Sequence, residues 1–175
     1  MIRRLIHDAS AANPGVVVDP ATPDSVPRLA EIASRCYRSA FSSILEPEAL
    51  ASRDASFFRG HFADCWPRTT IATLRGRIAG FSLVSDSHLD MLFVDPTNAS
   101  KGIGTLLLDH ATKKGLRSIE CFRDNESARR FYEHRGWIVE RVYQREFLGK
   151  PRDFVRYVRG AAASSDTELT QSALG

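Results

Sequence analysis

Cysteine is scarce in this chain. Cys36, Cys65 and Cys121 are the only three in 175 residues. They are odd in number and scattered, with the spacing of neither a disulfide framework nor a zinc site. Reduced structural thiols and no bound metal are therefore expected. Cys36 has no His/Asn pattern beside it that would mark a catalytic thiol. Long apolar runs are missing as well, and none approaches the ~20 residues of a membrane-spanning helix. Met1-Ile2-Arg3-Arg4 leads into no apolar signal core. These absences point to a cytoplasmic protein without a membrane partner. Internal repeats, clustered aromatics and nucleic-acid motifs are absent too, so nucleic acid is not an expected partner.

What remains is a chain of ordinary globular composition. Hydrophobic residues make up 43% of it, enough for one domain with a substantial core. The net charge of +3 is unevenly spread. Residues 113–159 carry 13 basic and 7 acidic side chains, against 11 and 12 in residues 1–112. A basic C-terminal half suits a phosphate-rich ligand, and it also suits a solvated basic surface.

The first dozen residues are small and polar, and a loose arm is expected over 1–13. A single domain is expected over 14–159, followed over 160–175 by an Ala/Ser/Thr-rich disordered tail. Val16-Val17-Val18 reads as a first strand. Asp24 is a candidate N-cap for a helix with Pro27 in its first turn and Leu29, Ile32, Ala33, Cys36 and Tyr37 at helical spacing. One further helical stretch is expected from about Glu48 through Phe58 and Phe62, ending before Pro67. Strands are expected over Thr69–Leu74, Ile78–Val84, His88–Val94 and Leu116–Phe122. Ile138–Phe147 and Phe154–Arg159 read as a final hairpin. The expected order is β-α-α-β-β-β-α-β-α-β-β.

The most informative stretch runs from Leu89 to Gly115. Met91–Val94 is a short apolar run ended by Asp95-Pro96, since proline cannot continue a ladder. Lys101, Gly102, Ile103 and Gly104 then open a helix whose apolar residues are Ile103, Leu106, Leu107 and Ala111. Two glycines at a helix N-terminus let the backbone come close to a ligand. They also aim amide N–H groups outward, which suits a diphosphate. The turn has neither the Walker lysine pattern nor the third glycine of a dinucleotide fingerprint. Alone, it is compatible with a plain strand–helix connection.

A second segment, Arg123 to Trp137, reads RDNESARRFYEHRGW. Asn125 precedes a helix carrying Ala128, Phe131 and Tyr132, and Gly136 follows as its C′ residue. The spacing N-x-x-A-x-x-F-Y-x-x-x-G-W, with Lys101-Gly102-Ile103-Gly104 upstream, resembles the GNAT superfamily of acyl-CoA-dependent N-acyltransferases. The motifs stand in the family's order and separation, and the resemblance covers roughly Ala21 to Arg159. It departs at Ala99, where the family pattern Q/R-x-x-G-x-G/A has Gln or Arg. That removes one diphosphate contact and leaves the backbone amides. The resemblance implies an α/β (α+β) fold, with a mixed sheet of about seven strands. The sheet would be splayed between strands four and five and flanked by about four helices.

It also implies acetyl-CoA as cosubstrate, a primary amine as acceptor and direct attack in a ternary complex; a homodimer is compatible with it. On this reading Phe93 and Val94 offer main-chain groups to the pantetheine arm. Ser100, Lys101, Gly102, Ile103, Gly104 and Thr105 hold the diphosphate, and Asn125, Arg129 and Arg130 add contacts. Tyr132 falls on the family's tyrosine, a phenol of ordinary pKa about 10 able to protonate the leaving thiolate. The alternatives are a buried aromatic pair with Phe131 for Tyr132, a simple N-cap for Asn125 and solvated surface arginines for Arg129 and Arg130. His88 and Asp90 share side-chain parity on the strand leading to the acyl site and are the candidate general bases. His88 lies near the position where some family members present a Glu. The alternative is a surface polar pair, with the proton lost through ordered water. Tyr37, Phe41, Tyr143 and Tyr157 are candidate walls of the acceptor pocket, or core. Two other activities stay open: a non-catalytic acyl-CoA sensor with a GNAT fold, and a toxin-type acetyltransferase acting on aminoacyl-tRNA.

Overall fold

A computed structural model describes residues 15–160. The expected arm over 1–13, and all of the expected tail beyond Gly160, lie outside the described residues. The elements are β1 (Val16–Pro20), α1 (Val26–Phe41), α2 (Pro47–Ala51), α3 (Ala55–Cys65), β2 (Thr69–Leu74), β3 (Arg77–Ser85) and β4 (His88–Val94). They continue with α4 (Ile103–Lys113), β5 (Ser118–Phe122), α5 (Glu126–Glu133), β6 (Trp137–Phe147) and β7 (Lys150–Arg159). No helix among the described residues is long and apolar enough to cross a membrane.

The strands form one sheet of seven, in the order β1-β2-β3-β4-β5-β7-β6. Every pairing is antiparallel except β4–β5, which is parallel. That pairing holds only His88 to Ser118 and Leu89 to Ile119. Beyond it the two strands diverge, so the mixed sheet is forked where the family resemblance implies.

Two helix boundaries differ from expectation, each for a local reason. Asp24 lies inside a single 3-10 turn, Pro23–Ser25, and α1 begins only at Val26. Pro27 then sits in the first turn, where its missing N–H costs nothing. The expected single helix from Glu48 is broken into α2 and α3. Asp54 Oδ1 accepts from Phe57 N at 2.8 Å and caps a new N-terminus. Among the described residues five helices therefore flank the sheet rather than four.

The core lies on both faces. Leu29, Ile32, Ala33 and Cys36 of α1 pack with Phe58 and Phe62 of α3 on Phe81 and Leu83. On the other face Ile103 and Leu107 of α4 cover Ala72 and Ala79. Leu108 packs there with Tyr132 of α5, Ile119, Trp137, Val155 and Tyr157. Each large apolar side chain so buried contributes about 1.5–3 kcal/mol of transfer free energy.

One irregularity positions the site. Met91 lies opposite Leu83 and Leu89 opposite Val84, so Asp90 is an extra residue in β4, a β-bulge. The side chains change faces across it. Leu89 packs on the α4 face, whereas Met91 and Phe93 pack on the α1–α3 face. Leu92 and Val94 then return to α4.

Candidate active site

Past Leu89, β4 is paired only on its β3 side. Its open side borders a cleft of about 530 Å³. Leu92, Phe93 and Val94 of β4, Gly104 of α4, and Asn125, Phe131 and Tyr132 at α5 line it. Phe93, Val94, Gly104, Asn125 and Tyr132 are thus brought together from among the residues singled out in the sequence. An unpaired strand edge of this kind can take an extended arm as an added strand.

Asp95 ends β4 and holds the turn that follows. Its side chain is 1% exposed. It accepts from Thr97 N at 3.1 Å and Thr97 Oγ1 at 2.9 Å, and pairs with Arg28 and with Arg35 at 3.1 Å. Burial pushes its pKa up, but the Thr97 and Arg28 hydrogen bonds and the Arg35 charge hold it below the usual carboxylate value. The turn then passes Ser100 and Gly102, both left-handed, with φ of 61° and 71°. Gly102 is the N-cap of α4, a conformation that strains most side chains.

Gly104 serves a different purpose. It lies within the helix, and a Cβ there would sit 3.4 Å from Phe131 Cζ and 3.6 Å from Val94 Cγ2. Its missing side chain is part of the cleft. Leu106 N makes the first bond of the helix, to Gly102 O at 3.1 Å. The amides of Ile103, Gly104 and Thr105 are left without a helical acceptor at the positive end of the dipole, a seat for a diphosphate.

Ser100 and Lys101 are exposed beside this seat, and Lys101 Nζ donates to Asn98 Oδ1 at 2.9 Å. The Thr105 hydroxyl accepts from Arg135, which also donates to Phe131 O at 2.9 Å and lies 3.8 Å over the Phe131 ring. Arg135 fastens α4 to the end of α5. Nothing in the sequence singled it out, because its partner Thr105 lies on α4.

Asn125 Oδ1 accepts from Ala128 N at 3.2 Å and caps α5 while lining the cleft. Arg129 faces elsewhere. It donates to Tyr157 Oη at 3.4 Å and Arg123 O at 3.3 Å and pairs with Glu133 at 3.7 Å. Arg130 pairs with Glu126 at 3.2 Å. Neither arginine belongs to the cleft lining. Tyr132 is both an aromatic partner of Phe131, at 5.4 Å between ring centroids, and a cleft wall. Burial pushes its phenol pKa well above the ordinary value, so it stays protonated. Cys36 Sγ donates to Val94 O at 3.1 Å. Burial pushes its thiol up to about 12, which disfavours the thiolate form a nucleophile needs.

At the apex of the fork, His88 Nδ1 is hydrogen-bonded to Ser118 Oγ at 2.8 Å. Burial lowers the His88 pKa more than the nearby Asp90 charge raises it, which favours the neutral ring. Asp90 accepts from Ser85 Oγ, which in turn accepts from Arg68 at 2.6 Å. His88 and Asp90 stand near each other but outside the cleft lining. Glu120 of β5 shares a face of the sheet with Phe122 and takes bonds from Tyr143 and, at 2.6 Å, Arg145. Sequence reading missed it, although its parity with Phe122 on an expected strand was a usable signal. Among the candidate acceptor walls, Tyr143 stands beside Glu120, and Phe41 packs on Phe122 at 5.1 Å. Tyr37 is buried in the α1–α3 core. Tyr157 is core on the α5 face, its hydroxyl donating to Glu133 at 2.8 Å.

The match to known proteins follows this geometry. The family model for the acetyltransferase (GNAT) domain matches residues 65–139, from the end of α3 into β6. The chain is 35% identical to the peptidyl-lysine N-acetyltransferase YjaB of Escherichia coli over 78 residues, 44% of this chain and 53% of YjaB. Over these residues the chain is similar to the GNAT acetyltransferase domain. It spans about half the length of the curated relatives it matches. The solution structure of apo YjaB from Escherichia coli superposes with a TM-score of 0.70 at 24% identity, covering 84% of this chain and 99% of that one. The PaiA N-acetyltransferase of Thermoplasma acidophilum, solved with coenzyme A, gives 0.64 at 17% identity, covering 82% and 99%. The matched GNAT region holds the fork, the glycine turn and Tyr132. Helix α1, which brings Cys36 and the Asp95-binding arginines, lies before it.

Proposed function

We propose that this protein is a GNAT-type, acetyl-CoA-dependent N-acetyltransferase that passes the acetyl group to a primary amine by direct attack. The observation that carries this reading is the fork. A free strand edge leads from amides suited to a diphosphate, past a buried phenol, to a histidine whose neutral form is favoured. Gly104 supports it further, since a side chain there would enter the cleft. Val94 offers main-chain groups on the open edge to the pantetheine arm, and its N–H polarises the thioester carbonyl, whereas the Phe93 main chain is turned to β3. The Ile103, Gly104 and Thr105 amides hold the diphosphate, with Ser100, Lys101 and Gly102 beside them.

The amine nitrogen forms a bond to the carbonyl carbon as the carbon–sulfur bond breaks. Tyr132, kept protonated by burial, gives its proton to the departing thiolate. His88 takes the proton lost by the amine. At a rise of about 3.3 Å per residue, His88 stands roughly 13 Å along β4 from Leu92, so that transfer runs through water. Asp90 favours the protonated form of His88. Because YjaB carries the name of a peptidyl-lysine acetyltransferase, a lysine side chain in a peptide is the first acceptor to try.

Thermal stabilisation by acetyl-CoA, followed by thiol release over a panel of amines and lysine peptides, tests the reading. Stabilisation and release are expected together. Stabilisation with no release for any amine would favour an acyl-CoA sensor. No stabilisation would remove the cofactor from the cleft.

A further inference from the structure

A second cavity, of about 690 Å³, lies on the other side of the turn that follows β4. Leu74 and Ile78 give it an apolar wall, and Arg28, Arg75, Arg77 and Lys101 converge on it. No acidic side chain is among the described residues that line it. The four cations are not equivalent. Arg28 is spent on Asp95, on Glu31 at 3.0 Å and on the Ile78 carbonyl at 3.3 Å. Lys101 is steadied by Asn98. Arg75 and Arg77 bracket Gly76 at the tip of the β2–β3 hairpin, and among the described residues neither has a carboxylate partner.

Like charges gathered at one concavity repel one another unless an anion joins them. The hairpin keeps these two together, because Leu74 pairs with Arg77 and Arg75 takes a left-handed turn conformation, φ 51°. The volume is that of a small-molecule site, and the mixed lining suits a ligand with an anionic end and an apolar or aromatic body. We propose that this cavity binds the phosphate-bearing end of a nucleotide, with Arg75 and Arg77 as the principal contacts. It shares a wall with the acyl cleft. Pro96 lines the cleft, and Thr97, Asn98 and Lys101 line this cavity. Two sources present the same chemistry: the nucleotide 3′-phosphate of coenzyme A reaching round the turn, or a separate nucleotide. Only the first source rests on the proposed cofactor reading.

The test uses the full-length protein and the Arg75→Ala/Arg77→Ala double variant. Both residues are exposed on a hairpin tip, so the variant should keep its unfolding midpoint. Affinities are measured by calorimetry for coenzyme A and dephospho-coenzyme A, and for ADP in the presence of saturating acetyl-CoA. If the cavity serves the cofactor, the wild type prefers coenzyme A over its dephospho form by about tenfold or more and the variant loses that preference. If it serves a separate nucleotide, ADP binds the wild type and weakens by about tenfold or more in the variant. A wild type with neither property, or a variant that keeps both, overturns the proposal. Dephospho-coenzyme A reports on the cleft alone. If it fails to bind even the wild type, the cofactor reading falls, while the ADP measurement still decides the cavity.

Discussion

The two wings of the sheet are held together on different physical terms. In the β1–β4 wing, Ala72, Ala79, Phe81 and Leu83 are at most 2% exposed. Helices α1 and α3 cover one face and α4 the other. In the β5–β7 wing the outer strand β6 is largely exposed, with Ile138, Val139 and Val142 at 54%, 47% and 53%. Ile119, Trp137, Val155 and Tyr157 are buried on the α5 face, and charges add pairs around the exposed outer strand: Glu120 with Arg145 at 2.6 Å, Glu140 with Arg156 at 2.8 Å, and Glu46 with Lys150 at 2.9 Å. Close packing gives little to a changed neighbour, whereas surface ion pairs are individually worth up to about 1 kcal/mol. The strand edge proposed to hold the cofactor belongs to the packed wing. The wing with the exposed, ion-paired outer strand stands across the fork.

The sharpest way to break this contrast is to fill the cleft from the packed side. Gly104→Glu puts bulk and negative charge where amides face phosphate. It should abolish thermal stabilisation by acetyl-CoA; a folded variant that is stabilised normally would remove the diphosphate seat from this turn. Next in size is Tyr132→Phe. It should lower turnover by about ten- to a thousandfold, with cofactor affinity nearly unchanged because only a hydroxyl is lost. An unchanged single-turnover rate takes Tyr132 out of the chemistry.

Gly80→Ala probes the packing itself. Its Cβ would lie 2.8 Å from Phe93 O and 3.3 Å from Val94 Cα, so backbone must move. Urea unfolding should register a loss of about 1–3 kcal/mol. Acetyl-CoA affinity should fall with it, since the strand that must move carries Val94 on the cleft edge. A substitution of Glu140, in contrast, should hardly register.

Three histidines sharpen the comparison through pH. Burial lowers the pKa of His61 on α3, His110 on α4 and His88 at the fork. The unfolded chain therefore takes up protons near the ordinary value of about 6.5 before the folded one does. Their contribution to stability is complete above that pH and is lost as pH falls through the lowered folded values. Urea midpoints measured from pH 7.5 downward should decline below about 6.5, and a midpoint that rises on acidification would contradict the assignment. The smallest effect is expected on the other wing. Glu140→Gln breaks the exposed pair with Arg156 and should cost less than about 1 kcal/mol, shrinking further in salt.

Much of the fold was legible because its signals are local. Alternating and helical apolar spacing marked all seven strands and the long helices, and Asn125 could be read as a cap from its place before Ala128. Asp54 was passed over because it sits inside an apolar periodicity that continues on both sides of it. What stayed hidden depends on strand register or on partners far along the chain. Gly80 matters only because Val94 lies opposite it. Arg135 acts through Thr105, thirty residues upstream. Glu120 gains its meaning from Tyr143 and Arg145. For Arg129 the motif suggested a ligand contact, yet the fold turns the side chain towards Tyr157 and Glu133.

The bulge at Asp90 makes β4 a strand of two phases. Before it, odd-numbered Leu89 faces α4; after it, odd-numbered Met91 and Phe93 face α1 and α3. Chain length rather than composition thus decides which residues look into the fork. Deleting Asp90 would set Leu89 beside Met91, opposite the adjacent Val84 and Leu83, and so keep both faces, whereas losing a paired residue beyond the bulge would exchange them. An alignment that slid a gap through this position would score almost as well and place the wrong side chains at the site. For variants of this protein, then, the faces of β4 tolerate the loss of Asp90 better than the loss of a paired residue such as Leu92.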